Sequence, residues 1–221
     1  MSLRDSPVAA TALMNRIYQR QRYLYDLTRK YYLLGRDPLI ERLDPPRAAS
    51  VLEVGCGTGR NLIVAARRYP QAEFFGIDVS TEMLTTAIDA IARAGLSARV
   101  RVAHADAIAF DGAALFGRAR FERVFVSYSL STIPRWDAAL NRAIQSLKAG
   151  GDLHAVDFGT FEGLPAPFGG LFRSWLALFR VSPRERLELW LTLRGDQLGA
   201  KLAFERWYRG YAQYARLRMP G

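Results

Sequence analysis

The sequence predicts an α/β fold with a mostly parallel sheet, on three observations. Short apolar runs alternate with helical patterns between residues 50 and 157. A glycine-rich turn, Gly55-Cys56-Gly57-Thr58-Gly59, joins the first run to the first helix. Three acids, Glu53, Asp78 and Asp106, stand at or just after the ends of the first three runs. Strands separated by helical patterns imply right-handed crossovers, hence parallel strands with helices on both faces.

Taken in order, residues 11–43 read as helical: Leu13, Ile17, Leu24 and Leu27 recur near helical spacing. Gly35 and Asp37-Pro38 punctuate this stretch, and Asp44-Pro45-Pro46 closes it. Ser50–Val54 is the first strand and Arg60–Tyr69 the helix after the glycines. Glu73–Ile77 is a strand ending at Asp78. Ser80 caps a helix over Thr81–Ala94, which Gly95 terminates. Ala98–Ala103 and Phe121–Ser127 are strands. Trp136–Leu147 is a helix stopped by Ala149-Gly150-Gly151, and Asp152–Asp157 is the fifth strand. Beyond it, Phe161–Val181 is aromatic and apolar, Pro183–Leu193 reads as helix, and Lys201–Arg209 and Tyr211–Arg218 as two closing strands.

The chain has 221 residues, half of them hydrophobic, enough for one domain with a sizeable core. No apolar run reaches the roughly 18–20 residues that span a bilayer, and the first residues lack an apolar signal core. A cytoplasmic address is expected. One cysteine, Cys56, excludes an internal disulfide and a multi-cysteine metal site. His104 and His154 stand alone without ligand spacing, so no metal is expected, and His154 inside a strand reads as a core histidine. The net charge of +10 is uneven: residues 1–47 carry +4, residues 48–159 carry +1 and residues 160–221 carry +5. Basic flanks suit a polyanionic partner, either nucleic acid or an anionic membrane leaflet.

The glycine turn makes an anion or nucleotide site, because glycines let backbone approach a ligand and the helix presents free N–H groups. Arg60 stands where a dinucleotide-binding turn would have its last glycine, and no Gly-Lys-Ser/Thr follows. Glu53 would repel a pyrophosphate and attract a ligand carrying an ammonium and a sulfonium. Asp78, 19 residues beyond Gly59, suits both hydroxyls of a ribose. Asp106 is placed to accept from an adenine amino group.

These residues carry a resemblance. VLEVGCGTGRN, FFGIDVS, AHADA and LKAGGDLHAVDFG, over roughly residues 48–160, resemble the class I S-adenosylmethionine (SAM)-dependent methyltransferases. The resemblance implies a Rossmann-like seven-stranded sheet whose last strand is antiparallel, with S-adenosylhomocysteine as product. It implies that Glu53, Gly55, Cys56, Gly57 and Gly59 cradle the amino-acid and sulfur region and that Asp78 holds the ribose. Val79 and Met83 would pack on adenine, Asp106 and Ala107 would contact it, and Ser127 and Tyr128 would lie closest to the methyl group.

Acceptor choice must come from the flanks, since this fold carries many acceptors. Residues 17–37, with Tyr25-Asp26-x-Thr28-Arg29 and Gly35-Arg36-Asp37, resemble the bacterial betaine-lipid enzymes that trimethylate diacylglyceryl-homoserine. That implies an N-terminal helical substrate cap over residues 1–47, a catalytic domain over 48–221, and a lipid amine at an anionic, inner-membrane surface. A partner enzyme would make the homoserine lipid. Tyr25, Tyr32 and Tyr128 are then the candidate catalytic residues, their rings caging the quaternary ammonium. Arg29, Lys30 and Arg36 are candidates for the substrate carboxylate. Phe168–Val181, too short to span, would lie in the headgroup region. Phosphatidylethanolamine methylation, a cytosolic small-molecule or quinone acceptor, and a SAM-binding module without catalysis are the alternatives. Nucleic acid is disfavoured, because Ser127-Tyr128-Ser129-Leu130-Ser131 replaces the Asn/Asp-Pro-Pro-Tyr type of motif used on base amino groups.

Overall fold

The computed structural model describes residues 33–163, 165–179 and 181–221, and of residues 166–168 the backbone only. Backbone contacts divide the chain into Met1–Leu34 and Gly35–Gly221, and it is the second unit that is described below. Its elements in chain order are α1 (Arg36–Arg42), β1 (Ser50–Val54), α2 (Arg60–Arg68), β2 (Glu73–Asp78), α3 (Thr81–Arg93), β3 (Val100–His104) and α4 (Gly112–Phe116). There follow β4 (Phe121–Ser127), α5 (Trp136–Gln145), β5 (Leu147–Phe158), α6 (Ala166–Leu178), α7 (Leu187–Leu198), β6 (Lys201–Trp207) and β7 (Ala212–Arg218).

The seven strands form one sheet in the order β3-β2-β1-β4-β5-β7-β6. β1 to β5 pair parallel, and β7 runs antiparallel to both β5 and β6. The sheet therefore has the predicted class and strand number. Every residue of β1 is buried, so both faces of the sheet centre are covered. Period-two alternation sorts the side chains. Leu52, Phe75, Val124, Leu153 and Leu217 point to one face and pack with Leu140 and Ile144 of α5 and Leu187 and Leu191 of α7. The neighbouring positions Val51, Glu53, Phe74, Phe125 and His154 are buried on the other face.

Some boundaries differ from expectation, each for a local reason. β3 starts at Val100, because the amides of Arg99 and Val100 both turn back to Leu96 O. β5 starts at Leu147, before the glycines expected to precede it. Pairing with β4 shifts register between Phe121↔Leu147 and Arg123↔Asp152, so Gly150, at φ 68°, is absorbed as a bulge. α7 begins only at Leu187, since Arg184 is used to cap the carbonyls of Leu130 and Ile133 at 2.9 and 2.8 Å. α4 was not expected; Asp111 caps it by accepting from Ala113 N at 2.9 Å. The helical reading of residues 11–43 lies outside the described residues except for α1, which starts after Gly35 at φ 93°.

α1 is held at both ends. Asp37 pairs with Arg60 at 2.5 Å, and the Tyr69 hydroxyl donates to the carbonyls of Ile40 and Glu41. Arg123 donates to Leu43 O and Asp44 O at 2.7 and 2.9 Å. Midway along β5, just past the bulge, Asp152 is fully buried and accepts from Arg216 and Arg218 at 2.8 Å, with Arg123 at 3.5 Å. Against the desolvation of burial, Arg218 and Arg216 hold its carboxyl down to about 2. His154, two residues on, is buried with Nδ1 on the Tyr214 hydroxyl at 2.9 Å, and burial depresses it to about 3.

One glycine sets how closely the first turn meets the sheet. A Cβ on Gly76 would lie 2.6 Å from Leu62 Cδ1 and 2.8 Å from Cys56 Sγ. Gly76→Ala should destabilise the protein by roughly 1–3 kcal/mol, read as a lower urea midpoint at unchanged slope.

Candidate active site

β1 ends at Val54 and the chain turns at once. The amides of Gly55 and Cys56 both donate to Ile77 O, at 2.8 and 2.9 Å, which locks the turn onto β2. Gly55, Gly57 and Gly59 have φ of 77°, 52° and 76°, a region that favours glycine. A Cβ on Gly57 would meet nothing within 4 Å, so the turn borders open space there. Cys56 is buried beneath the turn, and burial pushes its thiol up.

The three acids differ in setting. Glu53 is fully buried; its Oε1 accepts from Asn61 Nδ2 at 2.8 Å, while Oε2 has no hydrogen-bond partner. Burial raises its carboxyl to about 8; the Asn61 bond opposes this rise and neighbouring Asp78 adds to it. Asp78 is half-buried, with Oδ2 accepting from Gly57 N at 2.8 Å and Oδ1 from Ser80 N at 2.9 Å. Each oxygen keeps a second lone pair. Ala105 N donates to Asp78 O at 3.0 Å, which brings the end of β3 alongside. Asp106 is exposed and closes a turn by accepting from Ile108 N at 3.1 Å, with half-buried Ala107 between them. Val79 is 69% exposed beside Asp78, and Met83, half-buried, follows on the first turn of α3.

The segment after β4 completes this edge. Ser127 is buried and its hydroxyl has no hydrogen-bond partner. Tyr128 takes φ 54° while its amide still donates to Val156 O at 2.8 Å. Its ring is buried edge-on against Phe158, with centroids 4.7 Å apart, and burial beside Asp157 pushes its hydroxyl well above the usual range. Ser129 touches the glycine turn: a Cβ on Gly55 would lie 2.6 Å from its Cβ. Asp157, fully buried, accepts from Ser131 N and Phe158 N at 2.9 and 2.7 Å. Burial raises it to about 6 against those two bonds.

An aromatic cluster adjoins Tyr128. Phe158, Phe161, Phe172 and Tyr211 lie 5.0–6.2 Å apart between centroids, and Trp175 and Phe179 extend them along α6. Thus the expected residues Glu53, Gly55, Cys56, Gly57, Gly59, Asp78, Val79, Met83, Asp106, Ala107, Ser127 and Tyr128 fall along the carboxyl ends of β1 to β4 and the loops after them. Tyr25 and Tyr32, with Arg29 and Lys30, lie outside the described residues. Asn61, Ser129 and Asp157 were missed. Asn61 carried a signal in hindsight: an amide in the first turn of α2 reaches back to an acid on the strand that feeds it.

The donor set fits a ligand with a cation and a polar ring system. An open carboxylate oxygen is buried beside a backbone cradle, and a second carboxylate has spare lone pairs next to an exposed apolar side chain. Comparisons agree with this chemistry. Residues 51–151 match the family described as methyltransferase domain. The chain is 29% identical over 160 residues to the ubiquinone/menaquinone biosynthesis C-methyltransferase UbiE of Allorhizobium ampelinum, covering 68% of this chain and 60% of that one. It is 25% identical over 130 residues to the demethylmenaquinone methyltransferase of Bacteroides fragilis, covering 59% of this chain and 51% of that one. The chain therefore spans about half to three-fifths of the length of these relatives. Among solved structures, phosphoethanolamine N-methyltransferase 2 of Haemonchus contortus, in complex with SAM, superposes with a TM-score of 0.69 at 17% identity, over 85% of this chain and 52% of that one. The methyltransferase SibL in its apo form gives 0.68 at 21%, over 90% and 58%. At these identities the structural likeness is one of fold.

Glu53 predicts a stability effect with a definite sign. Its folded-state value of about 8 lies above the ordinary 4.5, so stability falls as pH rises from about 4.5 to about 8. Glu53→Gln removes that slope. Its melting temperature should exceed that of the wild type at pH 8 and approach it at pH 5; equal curves at both would contradict the burial argument.

Proposed function

We propose that this chain, a class I SAM-dependent methyltransferase, moves the methyl group onto a ring carbon of a small quinone-like acceptor. The observation that carries the acceptor is the UbiE likeness, which extends over two-thirds of the chain, well beyond the span of the family match. The aromatic cluster beside Tyr128 supports it, because flat rings pack edge-to-face on Phe158, Phe161 and Tyr211.

SAM, when bound, supplies an electrophilic methyl group on a sulfonium. The chain's residues do the binding and aligning. Glu53 would accept from the ammonium through its open oxygen, with Asn61 keeping that carboxylate aimed. Gly55, Cys56, Gly57 and Gly59 would present backbone to the amino-acid part. Asp78 would take the two ribose hydroxyls on lone pairs that Gly57 and Ser80 leave available. Val79 and Met83 would flank adenine, Asp106 with Ala107 would meet its edge, and Ser127 and Tyr128 would border the methyl position. Bound there, SAM would supply its methyl group to a ring carbon beside a hydroxyl, leaving S-adenosylhomocysteine, with the displaced ring proton released to water. Alignment of the two partners supplies most of the acceleration.

A headgroup amine is the second reading, supported by the resemblance of residues 17–37; Tyr25 and Tyr32 would cage the ammonium.

Asp78→Ala should weaken SAM binding roughly 10–100-fold by calorimetry, since it removes hydrogen bonds to a charged acceptor. Undiminished affinity would rule out the ribose role. The acceptor is decided by incubating the chain with SAM and, in parallel, a prenylated demethyl-hydroquinone, phosphatidylethanolamine or diacylglyceryl-homoserine. A carbon-methylated quinol identified by mass spectrometry is the expected product. Methylation of an amine lipid with no quinol product would replace this reading by the second.

A further inference from the structure

α6 has one face anchored and one face bare. Inward, Leu176 is fully buried, and Phe172 packs on Phe158, Phe161 and Tyr211. Outward, Leu171 is 71% exposed and Leu178 is 78% exposed. They are seven residues apart, two helical turns, so both lie on one side of the helix. The segment before α6 is fastened to the turn between β6 and β7: Phe161 N donates to Gly210 O at 2.8 Å and Gly163 N to Arg209 O at 3.1 Å. That fastening places exposed Tyr208 and Arg209 beside the entry to α6.

The described charges beside this helix carry a positive excess: Arg173, Arg184, Arg186, Arg206 and Arg209 against Glu162, Glu185 and Glu188. Of those acids, Glu185 pairs with Arg173, and Glu162 and Glu188 both pair with Arg206. Two arginines thus serve three carboxylates, and Arg184, Arg186 and Arg209 supply the excess, the last two of them exposed.

We propose that α6 and the adjoining Tyr208-Arg209 turn form a docking surface for an anionic lipid bilayer, with Leu171 and Leu178 inserted among the acyl chains and Arg209 at the headgroups. Two leucines standing out singly, with exposed Ser174 between them, suit a fluid surface better than a matching protein groove. A second copy of this chain would bring the same basic face against itself, which like-charge repulsion disfavours. An aromatic such as Tyr208 at the rim is at home at headgroup depth. Among the described residues no helix is long and apolar enough to cross a membrane, so this contact is with one surface. The proposal goes beyond the acceptor reading and stands independently of which acceptor is used.

The test is co-sedimentation of the full chain with vesicles of phosphatidylcholine alone or mixed with phosphatidylglycerol, across a salt series, with sedimentation velocity on the free protein. The wild type should pellet with the mixed vesicles and be released as salt rises. Leu171→Glu/Leu178→Glu should lower partitioning at least about tenfold, and Arg209→Glu should weaken binding at low salt. A gentler pair, Leu171→Ser/Leu178→Ser, with SAM affinity unchanged by calorimetry, separates loss of docking from loss of folding and from failure of the SAM reading. Three results would overturn the proposal: no salt-sensitive pelleting of the wild type, equal pelleting of the serine pair, or a dimer that the serine pair abolishes in a protein without vesicle binding.

Discussion

Two amides on one carbonyl hold the site's geometry. Gly55 N and Cys56 N both donate to Ile77 O, and this shared acceptor brings the turn after β1 down onto β2. Gly76 leaves the space for it, since any side chain there would strike Leu62 and Cys56. With the turn fixed, Gly57 N reaches Asp78 at 2.8 Å, α2 starts in the one direction that lets Asn61 meet Glu53, and Ser129 closes over Gly55. A loosened turn would disturb each of these at once, because Asp78 and Ser129 touch it and Glu53 and Asn61 flank it in the chain.

Three buried acids of the sheet obey opposite logic. Midway along β5, Asp152 is buried among three arginines and held low, to about 2. At the carboxyl end of β5, Asp157 is equally buried but is met by two backbone amides, and sits near 6. Glu53, at the carboxyl end of β1, has one side-chain amide and one open oxygen and sits near 8. Arginine pairing holds the one acid low, whereas burial without a cationic partner raises the other two, and at Glu53 it leaves an oxygen on which a bound cation would complete the set.

The central block was legible because its signals are local. A strand feeding a glycine turn, an acid at each strand end and a helix cap at Ser80 are each readable within ten residues, and the structure places them where expected. What was not legible depends on partners far away in sequence. Gly150 reads as a helix stop until β4 is seen to pair across it. Pro183-Arg184 reads as helix until Arg184 is found capping carbonyls some fifty residues earlier. In the sequence Asp157 is only the last residue of a strand, and Ser131 and Phe158 reveal its role in tying the loop after β4 to the end of β5. The preference for a lipid amine rests on residues 17–37, whereas a relative aligned over two-thirds of the chain is named as a ubiquinone/menaquinone biosynthesis C-methyltransferase.

The strand order has a consequence for how the chain acquires its shape during synthesis. β7 is made after β6, yet it lies between β5 and β6. β6 therefore cannot join the sheet as it leaves the ribosome; it must wait for its later neighbour. Until then the growing chain presents the long outer edge of β5, with unpaired backbone groups along Asp152–Phe158. Such an edge is a template for pairing with another nascent chain. Pausing or slow translation through residues 201–218 would prolong that exposure, so this interval is where a chaperone would be most needed.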